Sequence, residues 1–158
     1  MIPIKSERDL EILRRSGKIL AKIMRQVEGF IRPGVSTAQI DSFTEELVLK
    51  EKAIPAFKGY KGFPATVCTS INEEIVHGIP GERKLKEGDI IGLDLGINYD
   101  GYFSDVAITL AIGEVDSRVK KLIEVTKKAL FVGIKQARTQ NHLSDISYGI
   151  QNYVEKNC

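Results

Sequence analysis

Two aspartates, Asp94 and Asp105, stand eleven residues apart in the run Asp94-Leu95-Gly96-Ile97-Asn98-Tyr99-Asp100-Gly101-Tyr102-Phe103-Ser104-Asp105. Apolar stretches flank Asn98, Tyr99, Asp100 and Gly101, which predicts a β-hairpin with those four residues as its loop. Ile97 then faces Tyr102, and Asp94 falls directly opposite Asp105 with Cβ atoms roughly 4.5–5.5 Å apart. Like charges so placed in an apolar sheet repel unless something positive lies between them. A divalent metal, or a pair of metals about 3.5–4 Å apart, supplies that charge. Two other readings use the same residues. One carboxylate can point to solvent or pair with a lysine, or a different loop length can shift the register by one and send the side chains to opposite faces.

His77 is the second candidate. It lies in Glu74-Ile75-Val76-His77-Gly78-Ile79-Pro80, where residues 74–79 read as strand material. A histidine ending a strand beside a backbone-permissive glycine can reach into a cleft; the alternative is a hydrogen-bonded histidine at a turn. His142 precedes a helix start at Ser144 and reads as a surface residue. Cys68 and Cys158 form no CxxC pair, and Cys68 reads as a small buried hydrophobe in a reducing compartment.

The elements that must position these groups follow from periodicity. Residues 6–31 read as a helix with Leu10, Leu13, Gly17, Leu20, Met24, Val27 and Ile31 on its stripe, and Gly17 there suggests a close approach of another backbone. Arg32-Pro33-Gly34 stops it, and a second helix capped by Ser36 or Thr37 runs to about Lys52. Residues 55–62 form a loop rich in glycine, lysine and aromatics, residues 65–71 a strand, and residues 80–88 a charged turn. A long helix over 117–138 directs Val119, Leu122, Ile123, Thr126, Leu130, Gly133, Ile134 and Ala137 inward, with Lys120, Lys121, Lys127 and Lys128 on its outer side. A last helix begins near Ser144 with Ile146, Ile150 and Tyr153 or Val154 as its stripe. Helices packed on a mostly antiparallel sheet, in one α+β unit over residues 1–158, is the expected architecture.

Composition bounds the class. The chain has 158 residues, 42% hydrophobic and 28% charged, with a net charge of +2. That suits one core and gives no electrostatic case for nucleic acid. No run of 18 or more apolar residues and no signal-peptide core is present, so a cytoplasmic protein without a membrane segment is expected. Serine-nucleophile, zincin, phosphate-loop and dinucleotide-binding motifs are all missing.

Taken together, Cys68-Thr-Ser-Ile-Asn-Glu-Glu-Ile-Val-His-Gly-Ile-Pro80, Gly88-Asp-Ile-Ile-Gly-Leu-Asp-Leu-Gly96 and Asp100-Gly-Tyr-Phe-Ser-Asp105 resemble the type I methionine aminopeptidases. Pro33-Gly-Val-Ser-Thr37 and Ser144-Asp-Ile-Ser147 extend the resemblance over essentially the whole chain. It implies the N-terminal portion of the pita-bread (creatinase/aminopeptidase-like) fold. It also implies a cytoplasmic metalloexopeptidase that hydrolyses the amide after the first methionine of nascent proteins. The resemblance assigns Asp94 and Asp105 to the metals, two divalent ions per complete site, with cobalt, manganese, iron and zinc not distinguished. It assigns His77 to a hydrogen bond with the substrate near the scissile amide, and Phe57, Tyr60, Phe63 and Cys68 to the surroundings of the methionine side chain. The family's other ligands, one histidine and two glutamates, follow the part matching residues 153–157. A C-terminally truncated domain with an incomplete site is therefore expected, with an exposed apolar face that favours self-association. Two other functions stay open at this point: a non-catalytic module of the same fold that binds peptide, ribosome or a second copy of itself, and a proline-specific metallopeptidase relative.

Overall fold

The computed structural model describes residues 4–157; residues 1–3 and Cys158 lie outside the described residues. The chain divides into two compact units, one up to Glu114 and one from Val115. In the first, α1 (Glu7–Phe30) and α2 (Thr37–Lys50) accompany β1 (Ile54–Pro55), β2 (Val67–Ile71), β3 (Ile90–Tyr99) and β4 (Tyr102–Ala111). Both helices start where a serine can satisfy the free N–H groups of the first turn. Ser6 and Ser36 each form a capping box, with Asp9 and Gln39 as the reciprocal partners.

β3 is the centre of the sheet, with β1, β2 and β4 all pairing to it antiparallel. Its sequence alternates, so Ile91, Leu93, Leu95 and Ile97 point to one face and are fully buried. Leu20, Ile23, Met24 and Val27 of α1, with Ile40, Leu47 and Val48 of α2, complete that core. Burying each large aliphatic side chain of this kind contributes about 1.5–3 kcal/mol. The core therefore lies on the helix side of the sheet, and the other face carries Gly92, Asp94 and Gly96.

Several expectations change here. The hairpin closes with two residues, Asp100 and Gly101, because Tyr99 pairs with Tyr102. Both turn residues take positive φ, 51° and 82°, the backbone of a two-residue turn whose twist matches the strands. Asp94 therefore pairs with Ala107, and Asp105 with Gly96, rather than with each other. Residues 74–79 form no strand; they belong to an irregular segment in which Ile75, Val76 and Ile79 are exposed. Among the described residues, nothing outside the helix's own backbone lies within 4 Å of a Cβ built at Gly17, so no backbone of another element approaches there.

The second unit pairs α3 (Ser117–Gln136) with α4 (Leu143–Asn157). Asp116 caps α3 through the N–H groups of Arg118 and Val119. The buried stripe of α3 is Val125, Ala129 and Gly133, with Gly133 beneath Ile146 and Ile150 of α4. Leu122, Thr126, Leu130, Ile134 and Ala137 are exposed, which corrects the inward assignment of these five: the small residues allow closer helix approach and take the contact. Lys120, Lys121, Lys127 and Lys128 are exposed, and Lys128 pairs with Glu124. His142 is exposed, with Asp145 3.9 Å from its Nδ1.

Candidate active site

Asp94 and Asp105 come from neighbouring strands, and both side chains stand on the sheet face away from the helices. Asp105 is opposite Gly96, two residues from Asp94 along β3, so the two carboxylates form a diagonal pair on one face. An even shift in register preserves the face, whereas an odd shift would have separated them. Asp94 is half-buried, and its Oδ1 is buried without a hydrogen-bond partner. Burial pushes its carboxyl above the ordinary carboxylate value, the Asp105 charge adds to this, and His77 opposes it.

An orphaned carboxylate oxygen beside a second carboxylate is a donor set that suits a hard divalent cation. The two aspartates are the part of such a site present here. Among the described residues, no group of three or more histidine, cysteine, aspartate or glutamate side chains is arranged to hold a metal.

The aspartates open into a cavity of about 820 Å³ that Phe57, Tyr60, Phe63, Cys68, His77 and Phe103 also line. Every residue that the resemblance nominated therefore reaches this cavity. The loop 56–64 makes one wall. Its carboxyl end is held by Asp41 of α2, which accepts from the N–H groups of Thr66 and Val67 at 2.8 and 3.1 Å. Its middle is held by Lys58, whose ammonium donates to Glu45 at 2.6 Å. Between these ties, Gly59, Lys61 and Gly62 take positive φ, so the loop reverses direction within a few residues.

His77 arrives by a route that the sequence pattern concealed. It is exposed and itself takes a positive φ of 60°, a strained backbone for a non-glycine residue. The segment is pinned to β2 on both sides of one residue. Thr69 N–H donates to Gly78 O at 2.9 Å, and Gly78 N–H donates to Ser70 Oγ at 3.2 Å. Sequence reasoning missed Ile79, Gly96 and Phe103 as lining residues. Phe103 was detectable in principle, because it shares the face of Asp105 by strand alternation.

Cys68 is 4% exposed and pairs directly with Asp94 across β2 and β3. Burial, then the charges of Asp94 and Asp105, push its thiol from 9.0 up to about 11. Because the folded state favours the neutral thiol, this contribution to stability is whole below 9.0 and is lost as pH rises through about 11. At pH 8, alkylation of Cys68 by iodoacetamide is expected to run roughly 100-fold slower in the folded than in the unfolded chain. Peptide-resolved mass spectrometry measures both rates, and equal rates would refute the assignment.

The sequence profile of metallopeptidase family M24 matches residues 11–158. The chain is 49% identical over 156 residues to a methionine aminopeptidase of Clostridium acetobutylicum, a match covering 98% of this chain and 62% of that protein. The crystal structure of methionine aminopeptidase from Rickettsia prowazekii superposes with a TM-score of 0.97 at 38% identity, covering 99% of this chain and 63% of the other. The chain thus spans about 62% of the length of the curated relative. The prolidase of Pyrococcus horikoshii superposes with a TM-score of 0.86 at 21% identity, covering 97% of this chain and 43% of the other, which shows a shared fold alone. These likenesses identify the pita-bread α+β architecture. No helix among the described residues is long and apolar enough to cross a membrane.

Proposed function

The chain belongs to metallopeptidase family M24, and from that premise we propose that it serves the metal-dependent removal of N-terminal methionine from peptides and nascent proteins. The observation that carries this reading is the placement of Asp94 and Asp105 on one sheet face, at the mouth of an aromatic, thiol-containing cavity. An apolar pocket with a polarizable lining suits the flexible thioether of methionine. Phe57, Tyr60, Phe63 and Cys68 receive that side chain in this reading. The protonated thiol of Cys68 adds no charge to the pocket.

Asp94 and Asp105 would hold divalent metal, two ions in a complete site, with the unpartnered Asp94 Oδ1 as one donor. Metal bound there supplies positive charge to polarise the scissile carbonyl and lowers the pKa of water. His77, held at the rim by β2, donates from a ring N–H to the substrate carbonyl or nitrogen as charge develops. Residues 1–158 belong to one such domain, which acts in the cytoplasm on polypeptide N-termini as they leave the ribosome.

With its metal site complete, the protein is expected to release methionine from a Met-Ala-Ser peptide in the presence of Co(II) or Mn(II), and to leave an Xaa-Pro peptide intact. Cleavage of the Xaa-Pro peptide alone would move it to the prolidases. Metal-independent peptide binding with no cleavage would move it to a binding module.

A further inference from the structure

Gly96 lies in the cavity wall, directly opposite Asp105. A Cβ built on it would stand 2.6 Å from Phe57 Cε1, 3.1 Å from Phe57 Cζ and 3.2 Å from Ala56 Cβ. These are its three nearest neighbours, and none belongs to Asp105. The bare position therefore makes room for the Phe57 ring rather than for the carboxylates.

The backbone around Phe57 resists displacement. Ala56 N–H donates to the carbonyl of Gly96 itself at 2.9 Å, Pro55 pairs with Ile97, and Tyr60 N–H donates to Phe57 O at 2.9 Å. The mobile part is the half-buried ring, whose free side faces the cavity. A methyl group at position 96 would drive that ring into the space where a ligand sits. Phe57 and Gly96 thus divide one volume between them.

Resting on the reading of this cavity as the methionine pocket, we infer that the Phe57–Gly96 pair sets the pocket's width and so selects the slender methionine side chain over bulkier ones. Gly96→Ala narrows the pocket. Phe57→Leu widens it. Combining the two returns the volume close to that of the parent, because the smaller side chain leaves space for the methyl group.

The test is titration of the folded protein with L-methioninamide, L-alaninamide and L-phenylalaninamide, followed by NMR, with hydrolysis of Met-Ala-Ser measured in parallel. Steric discrimination of this size changes affinity ratios by about tenfold or more. Gly96→Ala is expected to weaken methioninamide about tenfold while alaninamide is unmoved. Phe57→Leu is expected to shift the phenylalaninamide to methioninamide ratio about tenfold toward phenylalaninamide, and the double variant to restore the parent ranking. An unchanged ranking in Phe57→Leu overturns the inference, as does a parent protein that binds no methioninamide. If Gly96→Ala does not fold, recovery of folding in the double variant supports the shared volume, and failure to recover overturns it. The expected rankings without any methionine release would leave the inference standing and remove the aminopeptidase reading instead.

Discussion

Asp94→Asn is expected to stabilise the metal-free protein while removing its response to divalent metal. In the parent, burial and the neighbouring Asp105 both disfavour the ionised carboxylate. The amide keeps the shape and deletes the like charge, a change on the scale of a cross-strand pair, about 1 kcal/mol. Metal changes the balance. A ligand that binds only the folded state stabilises it by about 2.7 kcal/mol at a concentration 100 times its Kd. The parent should gain on this scale with Mn(II) or Co(II), and Asp94→Asn should gain little. Methionine release should fall at least about 100-fold, since changing even the outer partners of metal ligands costs 10–100-fold. Urea unfolding with EDTA and with Mn(II), on parent and variant, measures all the stability terms. Equal metal stabilisation of the two proteins would remove Asp94 from the ligand set.

The second large effect is at Gly78, next to His77. A Cβ at this position would lie 2.1 Å from the carbonyl oxygen of Thr69, 2.7 Å from its carbonyl carbon and 3.0 Å from Ser70 Cα. All three are backbone atoms of β2, a strand buried at every residue, so neither side can yield by rotating a side chain. Gly78→Ala must therefore break the Thr69–Gly78 hydrogen bond or push β2 away from its place beside β3. Overpacking and a lost buried hydrogen bond together cost about 2–4 kcal/mol. The variant should lose that much stability in chemical denaturation. It should also lose methionine release while keeping metal-linked stabilisation, because Asp94 and Asp105 lie on β3 and β4 rather than on this segment. A variant as stable and as active as the parent would show that the 72–80 segment is not held against β2 in solution.

These two sites differ in how far the sequence revealed them. The shared face of the aspartates followed from strand alternation, which depends only on the backbone repeat of two. Their partners did not follow. Asp100 and Gly101 together accept positive φ and close a tighter turn than the four-residue loop that composition suggested. The pairing moved by two residues, which left the face unchanged. His77 was visible as a candidate, but its apolar neighbours imitated a strand. Ile75, Val76 and Ile79 are exposed instead, and hydrogen bonds between Gly78 and the preceding strand β2 hold the segment in place. On α3, periodicity located the helix and placed Gly133 inward, but it set Leu122, Leu130 and Ile134 there in place of Val125 and Ala129. A partner helix selects the residues small enough to let it approach, and Val125, Ala129 and Gly133 meet that condition better than the leucines do.

The amino-acid order alone therefore determined the helices, the hairpin, the acidic pair and the family, because caps, repeats and motifs are properties of neighbouring residues. The strand register, the seat of His77 and the fit of Phe57 over Gly96 were decided only by the folded chain. Each of these depends on backbone φ, hydrogen bonds or shared volume at particular groups (the turn at Asp100 and Gly101, Gly78 against β2, Phe57 against Gly96), and a hydrophobic repeat encodes none of them.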